Sequence, residues 1–385
     1  MIEAKATALE PLRLEDLKEL LKAKGPCVTI VLPPYRPGEQ AKSGATLLKS
    51  NLQEAARELK AAKIPEDVAT GLLAPFYDLD ANPDFANGSH GGRAMFSAPG
   101  MFRQFHLSQP AQPSMTVAGS MYLRGVLPDL HLPPEFYLLK ISQKSVELLR
   151  MKEMRAEPVA LPKGVPATLD EAMAFDAPDH DLENRSAAGS GAGAMKGVRF
   201  GTGSGRETQH THFAEFFRKV DHGLADFLRA RKATLVLVGV DEDTAIYHSV
   251  ATYPGLLRDS VHGNAKGFLH ESEIFAKAYA IERAAVVEQE ARELAASRER
   301  FGPARFLTDL RKILAAAFEG RLQRIYLSEN ARSKGPFEGF GYQSIVPEDL
   351  GNLAAVQTML HGGDAVALPE PAMPAGVNVA GVMRF

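Results

Sequence analysis

Leu14, Leu17, Leu20 and Leu21 share one helical face across residues 12–24, and Gly25-Pro26 stops that helix. The apolar run CVTIVL that follows at 27–32 reads as a buried strand, and PPYRPG at 33–38 as a stiff loop. Helical spacing returns over 45–63 through Leu47, Leu48, Leu52, Ala55, Ala56 and Leu59, and a second helix is expected at 66–79. Residues 93–107 hold two short strands around the turn Ala98-Pro99-Gly100. Together these predict an α/β domain over 1–131, ending in a linker marked by Leu127-Pro128 and Leu132-Pro133-Pro134.

A second domain is expected over 132–300. FYLLKIS and SVELLRM form a hairpin turning at Gln143-Lys144. Residues 212–231 are amphipathic, with Phe213, Phe216, Phe217, Val220, Leu224, Phe227 and Leu228 on one face. TLVLVGVD at 234–241 is a buried strand, residues 242–251 a helix, and residues 271–300 one long charged helix broken by Gly302-Pro303. The third domain, 301–385, alternates helix and strand: helix 306–318, strand 322–328, a loop at 329–344, helix 347–361, then strands at 365–369 and 377–385. That order predicts a small α-β-α sandwich.

Composition narrows the picture. A chain of 385 residues that is 45% hydrophobic can bury two or three cores. The net charge of −3 excludes a surface that is basic throughout, so any nucleic-acid contact must be local. The single cysteine, Cys27, rules out an intrachain disulfide and a cysteine-rich zinc site, and its apolar neighbours make it a core residue. No apolar run is long enough to span a membrane and no signal peptide is visible, so a soluble cytoplasmic protein is expected.

One segment departs from globular composition. Residues 185–206, RSAAGSGAGAMKGVRFGTGSGR, contain seven glycines, the cations Arg185, Lys196, Arg199 and Arg206, and no acid. Residues 170–183 just before it carry Asp170, Glu171, Asp176, Asp179, Asp181 and Glu183 with no Lys or Arg. Long irregular loops inside compact proteins are functional or disordered. The two readings here are a solvated linker and a mobile arm for a phosphate-rich partner. In the second, Lys196, Arg199 and Arg206 contact phosphate. Gly189, Gly191, Gly193, Gly201, Gly203 and Gly205 then supply a backbone that adapts to RNA.

Nucleotide-binding motifs fail on spacing. Residues 201–206, GTGSGR, lack the Lys-Ser/Thr pair of a P-loop, and Lys196 stands where a dinucleotide fingerprint starting at Gly191 and Gly193 needs glycine. Asp241 and Asp243 at a strand end could hold a divalent metal for phosphodiester cleavage, or they could be a helix start with Asp241 as N-cap. His210 and His212 could offer imidazoles to a metal, but no third ligand is indicated by spacing. Tyr35 and Arg36 could stack on a base and contact phosphate, or Tyr35 could pack on its proline neighbours. Arg332 and Lys334 lie in a loop that is either solvated or an RNA or protein contact. No serine-hydrolase elbow is present. No catalytic residue, metal or cofactor is expected.

Several segments taken in order resemble the bacterial archaeo-eukaryotic release-factor-like proteins, relatives of class I release factors and Pelota. PCVTIVLPPYRPG and ATLLKSNLQEAARELK are similar to their amino-terminal domain. FYLLKISQKSVELL, FFRKVDHGL and LVLVGVD are similar to the middle domain. AAFEGRLQRIYLS, EDLGNLAAVQTMLHGGDAVALPEPAMP and VAGVMRF are similar to the carboxy-terminal domain. The resemblance implies an α/β amino-terminal domain, an RNase H-like middle domain and a carboxy-terminal domain like the kink-turn-binding ribosomal proteins. It also implies work in the ribosomal A site, with rRNA and tRNA as contacts and a translational GTPase as partner. True release factors carry a Gly-Gly-Gln loop that places water at the peptidyl-tRNA ester. Here Gly91-Gly92-Arg93 and Gly362-Gly363-Asp364 lie in other domains, and no glycine pair precedes Gln209. The expectation is therefore a non-catalytic A-site binder in ribosome rescue, hibernation or stress protection, with Arg185 and the arm's other residues, Tyr35 and Arg36 on RNA. Two alternatives stand beside it: a metal-dependent nuclease using Asp241 and Asp243, and a protein-interaction adaptor that needs no RNA.

Overall fold

The computed structural model describes residues 10–33, 41–80, 92–108, 111–152, 155–174, 204–263 and 270–385. The chain is a mixed α/β protein of two compact units, one formed by Met1–Leu132 with Arg283–Phe385 and the other by Pro133–Glu282. The helix Glu271–Arg305 contributes residues 271–282 to the second unit and 283–305 to the first.

In the first unit, a five-stranded sheet runs in the order Glu10–Pro11, Met101–His106, Arg93–Ala98, Cys27–Leu32, Ser114–Ala118. The first pair is parallel and the other neighbours are antiparallel. Every residue of Cys27–Leu32 is buried because both faces of the sheet are covered. Val28, Ile30 and Leu32 pack with Leu48, Leu52 and Phe76 of the helices Ala41–Ala61 and Glu66–Asp80. Cys27 and Val31, which alternate with them, face a second core.

That second core is shared with the end of the chain. Phe96, Met121, Leu123 and Leu127 are joined there by Ile313, Leu314, Ile325, Leu327, Leu353 and Val379. The partners belong to a four-stranded sheet in the order Phe306–Leu307, Val379–Met383, Leu322–Ser328, Asp364–Leu368, with the last pair parallel. The helices Leu310–Phe318 and Leu350–Leu360 cover one face. On the other face Leu294 of the long helix packs with Phe306, Tyr326, Val366 and Val382. The expected linker around Leu127-Pro128 is a short helix, Leu127–Leu130, with Leu127 buried. Proline is tolerated there because it stands in the first turn, where its missing N–H would have had no partner. The expected helix 306–318 starts later than its apolar pattern suggests: Phe306–Leu307 pairs with Val379–Met383, and Asp309 caps the helix through Arg311 N at 2.9 Å and Lys312 N at 3.0 Å.

The second unit holds another five-stranded sheet, ordered Val261–His262, Leu235–Gly239, Phe136–Ile141, Val146–Lys152, Arg155–Val159. The first three strands are mutually parallel and the last two are antiparallel to their neighbours. Phe216, Phe217, Val220, Leu224 and Leu228 of the helix Ser204–Arg231 bury against one face, together with Ile246 and Tyr247 of the helix Asp241–Val250. Phe136 meets Tyr279 edge to face at 4.9 Å, and Glu282 accepts from Thr234 Oγ1 at 2.7 Å. Gly302, with φ +57°, breaks the helical backbone where Gly302-Pro303 was expected to stop it, and the chain resumes helical geometry to Arg305.

Candidate nucleic-acid interface

Arg185, Gly189, Gly191, Gly193, Lys196, Arg199, Gly201 and Gly203 lie outside the described residues, as do Tyr35 and Arg36. Gly205 and Arg206 belong to the backbone of the helix Ser204–Arg231, which begins eight residues earlier than the apolar face at 212–231 suggests. The glycine-rich composition up to Gly205 hides that start in the sequence. The helix is anchored in the apolar core near its middle by Phe216 and Phe217.

The acids at the end of the strand Leu235–Gly239 diverge. The helix N-cap is Val240, without a side-chain cap, so Asp241 is the first helical residue and not the cap. Asp241 is exposed and its carboxylate meets His262 Nδ1 at 2.7 Å. Asp243 is buried, and that burial raises its pKa, partly offset by a hydrogen bond from Gln143. Two carboxylates held in such different surroundings do not form a shared cation cage. Among the described residues no group of three or more His, Cys, Asp or Glu side chains could hold a metal ion, and that includes His212. Close by, His248 Nε2 lies 3.0 Å from Ser260 Oγ, and burial together with the charge of His262 lowers the His248 pKa.

The cationic loop of the first unit separates into two kinds of charge. Lys334 is engaged with Glu58 of the helix Ala41–Ala61 at 3.2 Å. Arg332 is exposed, and its guanidinium lies 5.0 Å from the centre of the Tyr122 ring. Beneath this loop the chain ends are tied together by a polar network that sequence reading did not find. Arg124 is 1% exposed, donates to Ser328 O at 2.9 Å and to Ala331 O, and pairs with Asp349 at 2.9 Å. Asn352 accepts from the Leu123 N–H at 2.8 Å and from the Arg124 N–H at 3.2 Å, and donates to Met121 O at 2.9 Å. Glu348 accepts from Ser120 Oγ at 3.0 Å and from the Tyr342 hydroxyl. A Cβ at Gly119 would sit 2.6 Å from Glu348 Oε1, so a larger residue there would displace the Glu348 carboxylate.

No helix among the described residues is long and apolar enough to cross a membrane. Comparison with known proteins gives one family: the model of Bacterial archaeo-eukaryotic release factor family 3 matches residues 135–321. A comparison with curated proteins found no match. Among solved structures the chain is similar to the archaeal translation termination factor aRF1, at 16% identity over 96% of each chain with a TM-score of 0.24. It is similar to Archaeoglobus fulgidus Pelota at 13% identity, over 76% of this chain and 79% of that one, with a TM-score of 0.36. It is also similar to S. cerevisiae Dom34, described as a translation termination-like factor in RNA quality control pathways that interacts with Hbs1, at 8% identity over 74% of each chain with a TM-score of 0.31. Over residues 135–321, which span most of the second unit, the chain matches bacterial archaeo-eukaryotic release factor family 3 and is release-factor-like.

Proposed function

We propose that this protein binds the ribosome in the A site without cleaving peptidyl-tRNA, acting in rescue, hibernation or stress protection in the cytoplasm. The observation that carries this reading is the family match over 135–321. That stretch encloses a segment rich in glycine and free of acids at 185–206, and no Gly-Gly-Gln. Arg185, Lys196, Arg199 and Arg206 contact rRNA or the tRNA acceptor end through phosphate, and the glycines let the backbone approach closely. Tyr35 and Arg36 extend the contact from the amino-terminal segment. The segments 1–131, 132–300 and 301–385 act as three domains, the first and last sharing a core. In the middle one, three antiparallel strands in sequence followed by two parallel ones support an RNase H-like sheet. A translational GTPase as delivery partner rests on the resemblance to release factors and Pelota.

Cosedimentation with bacterial ribosomes at low and moderate salt tests the reading. The wild-type chain should pellet with ribosomes in a salt-sensitive way. Replacing Lys196, Arg199 and Arg206 by Ala should flatten the slope of log affinity against log salt by roughly 2 to 3. Unchanged binding in that variant would remove the arm from the mechanism, and no ribosome binding at all would remove the proposal.

A further inference from the structure

The first unit contains a cleft of about 570 Å³, lined among others by Gln112, Tyr122, Arg124, Arg283, Asn330 and Arg332. None of its lining residues belongs to the glycine-rich stretch 185–206 of the sequence. We propose that this cleft binds the phosphate of a nucleotide, with Arg332 as the anchoring cation.

The chemistry of the lining supports that ligand class. Three guanidinium groups reach the cleft against two carboxylates, Asp129 and Glu329. Both carboxylates are engaged: Asp129 Oδ1 accepts from the Ser108 N–H at 2.8 Å, and Glu329 pairs with Arg283 at 2.6 Å. Arg124 is engaged with Asp349. Arg332 differs from them, since no carboxylate lies within ion-pair distance of it among the described residues. Among the described residues its guanidinium meets the face of Tyr122, which orients it while leaving its N–H donors available. A planar fork of donors suits the oxygens of a phosphate.

The site is built on a fixed frame. Arg124 holds the carbonyl of Ala331, the residue next to Arg332, and that of Ser328 before it. Asn352 in turn holds the backbone N–H groups of Leu123 and Arg124. Donors that are in place before a ligand arrives lose little entropy on binding it. The side-chain amides of Gln112 and Asn330 at the wall match the donor and acceptor edges of a base or the hydroxyls of a ribose. The volume falls in the range of small-ligand sites.

A free mononucleotide and a phosphate within an RNA chain share this chemistry, so the experiment uses both. Full-length protein is titrated with GMP and with a short single-stranded RNA, and inorganic phosphate is added as competitor. Saturable binding of either probe, competed by phosphate, is the expected result. GMP binding assigns the free nucleotide as the source, and binding of the RNA alone assigns the polymer. Arg332→Ala should weaken binding by at least about tenfold and Arg332→Glu should weaken it further. Because Arg332 is exposed, both variants should unfold like the wild type. The variant with Lys196, Arg199 and Arg206 replaced by Ala should retain binding to GMP, or to the RNA where GMP does not bind. The proposal is overturned if neither probe binds the wild type, or if Arg332→Ala binds as tightly as wild type.

Discussion

Arg124 and Asp349 are 1% and 5% exposed and lie 225 residues apart in the chain, so each takes a full charge into the core on the strength of the other. Removing one partner strands the second charge in a low-dielectric interior. Arg124→Ala should therefore cost about 3–5 kcal/mol in urea unfolding. Lys334→Ala, which breaks the exposed pair with Glu58, should cost about 1 kcal/mol or less in the same measurement. Glu348 gives a pH signature. Burial raises its pKa above the usual carboxylate value, with hydrogen bonds from Tyr342 and Ser120 opposing the shift. The folded state thus holds this proton more tightly than the unfolded chain. The contribution of Glu348 to stability is fully present below the unfolded pKa and is lost as pH rises through the folded one. Stability of Glu348→Gln, followed by thermal unfolding across pH 4 to 8, should lack that loss. None of these pairings was legible in the sequence, because Arg124, Glu348, Asp349 and Asn352 look like ordinary surface residues until strands far apart in the chain are brought together.

Helix and strand boundaries show which local signals were strong. CVTIVL announced a strand covered on both faces, and Val28, Ile30 and Leu32 do face a different core from Cys27 and Val31. Ser114–Ala118 and Arg155–Val159 left no such mark. The first is SMTVA and the second RAEPV, an outermost strand whose Pro158 is tolerated at an edge. The acidic run at 241–243 looked like a cap, yet Val240 takes that position and Asp241 turns to His262. Asp309 does cap its helix, and the N–H of Lys312 and of Arg311 lowers its pKa. Asp309→Ala should destabilise the fold at neutral pH, read as a downward shift of the denaturant midpoint. Because the native carboxylate favours its ionised form, the difference from wild type should shrink as pH falls through its folded pKa.

At the scale of the whole molecule, the α/β class, the order of most elements and the family resemblance could be read from the chain. The sharing of one core by its two ends could not, since apolar periodicity says which face is buried but not against what. The candidate site divides the same way. The cation-rich segment stood out by composition, whereas the cleft under Arg332 exists because residues near 122 and near 330 are neighbours in space. A fragment of residues 133–282 carries its own apolar cluster and should unfold cooperatively by circular dichroism. A fragment of residues 1–132 exposes Phe96, Met121 and Leu123 and should bind a hydrophobic dye without a sharp thermal transition.

The shared core also sets a timetable for biosynthesis. When Leu123 leaves the peptide exit tunnel, its packing partners Leu327, Leu353 and Val379 have yet to be translated. At roughly 5–20 residues per second, that interval lasts on the order of tens of seconds. The intervening unit can complete itself meanwhile, but the opening segment must wait, sticky and half-finished, for the closing one. A nascent chain of this kind is a natural client for a chaperone that shields apolar surface until translation ends.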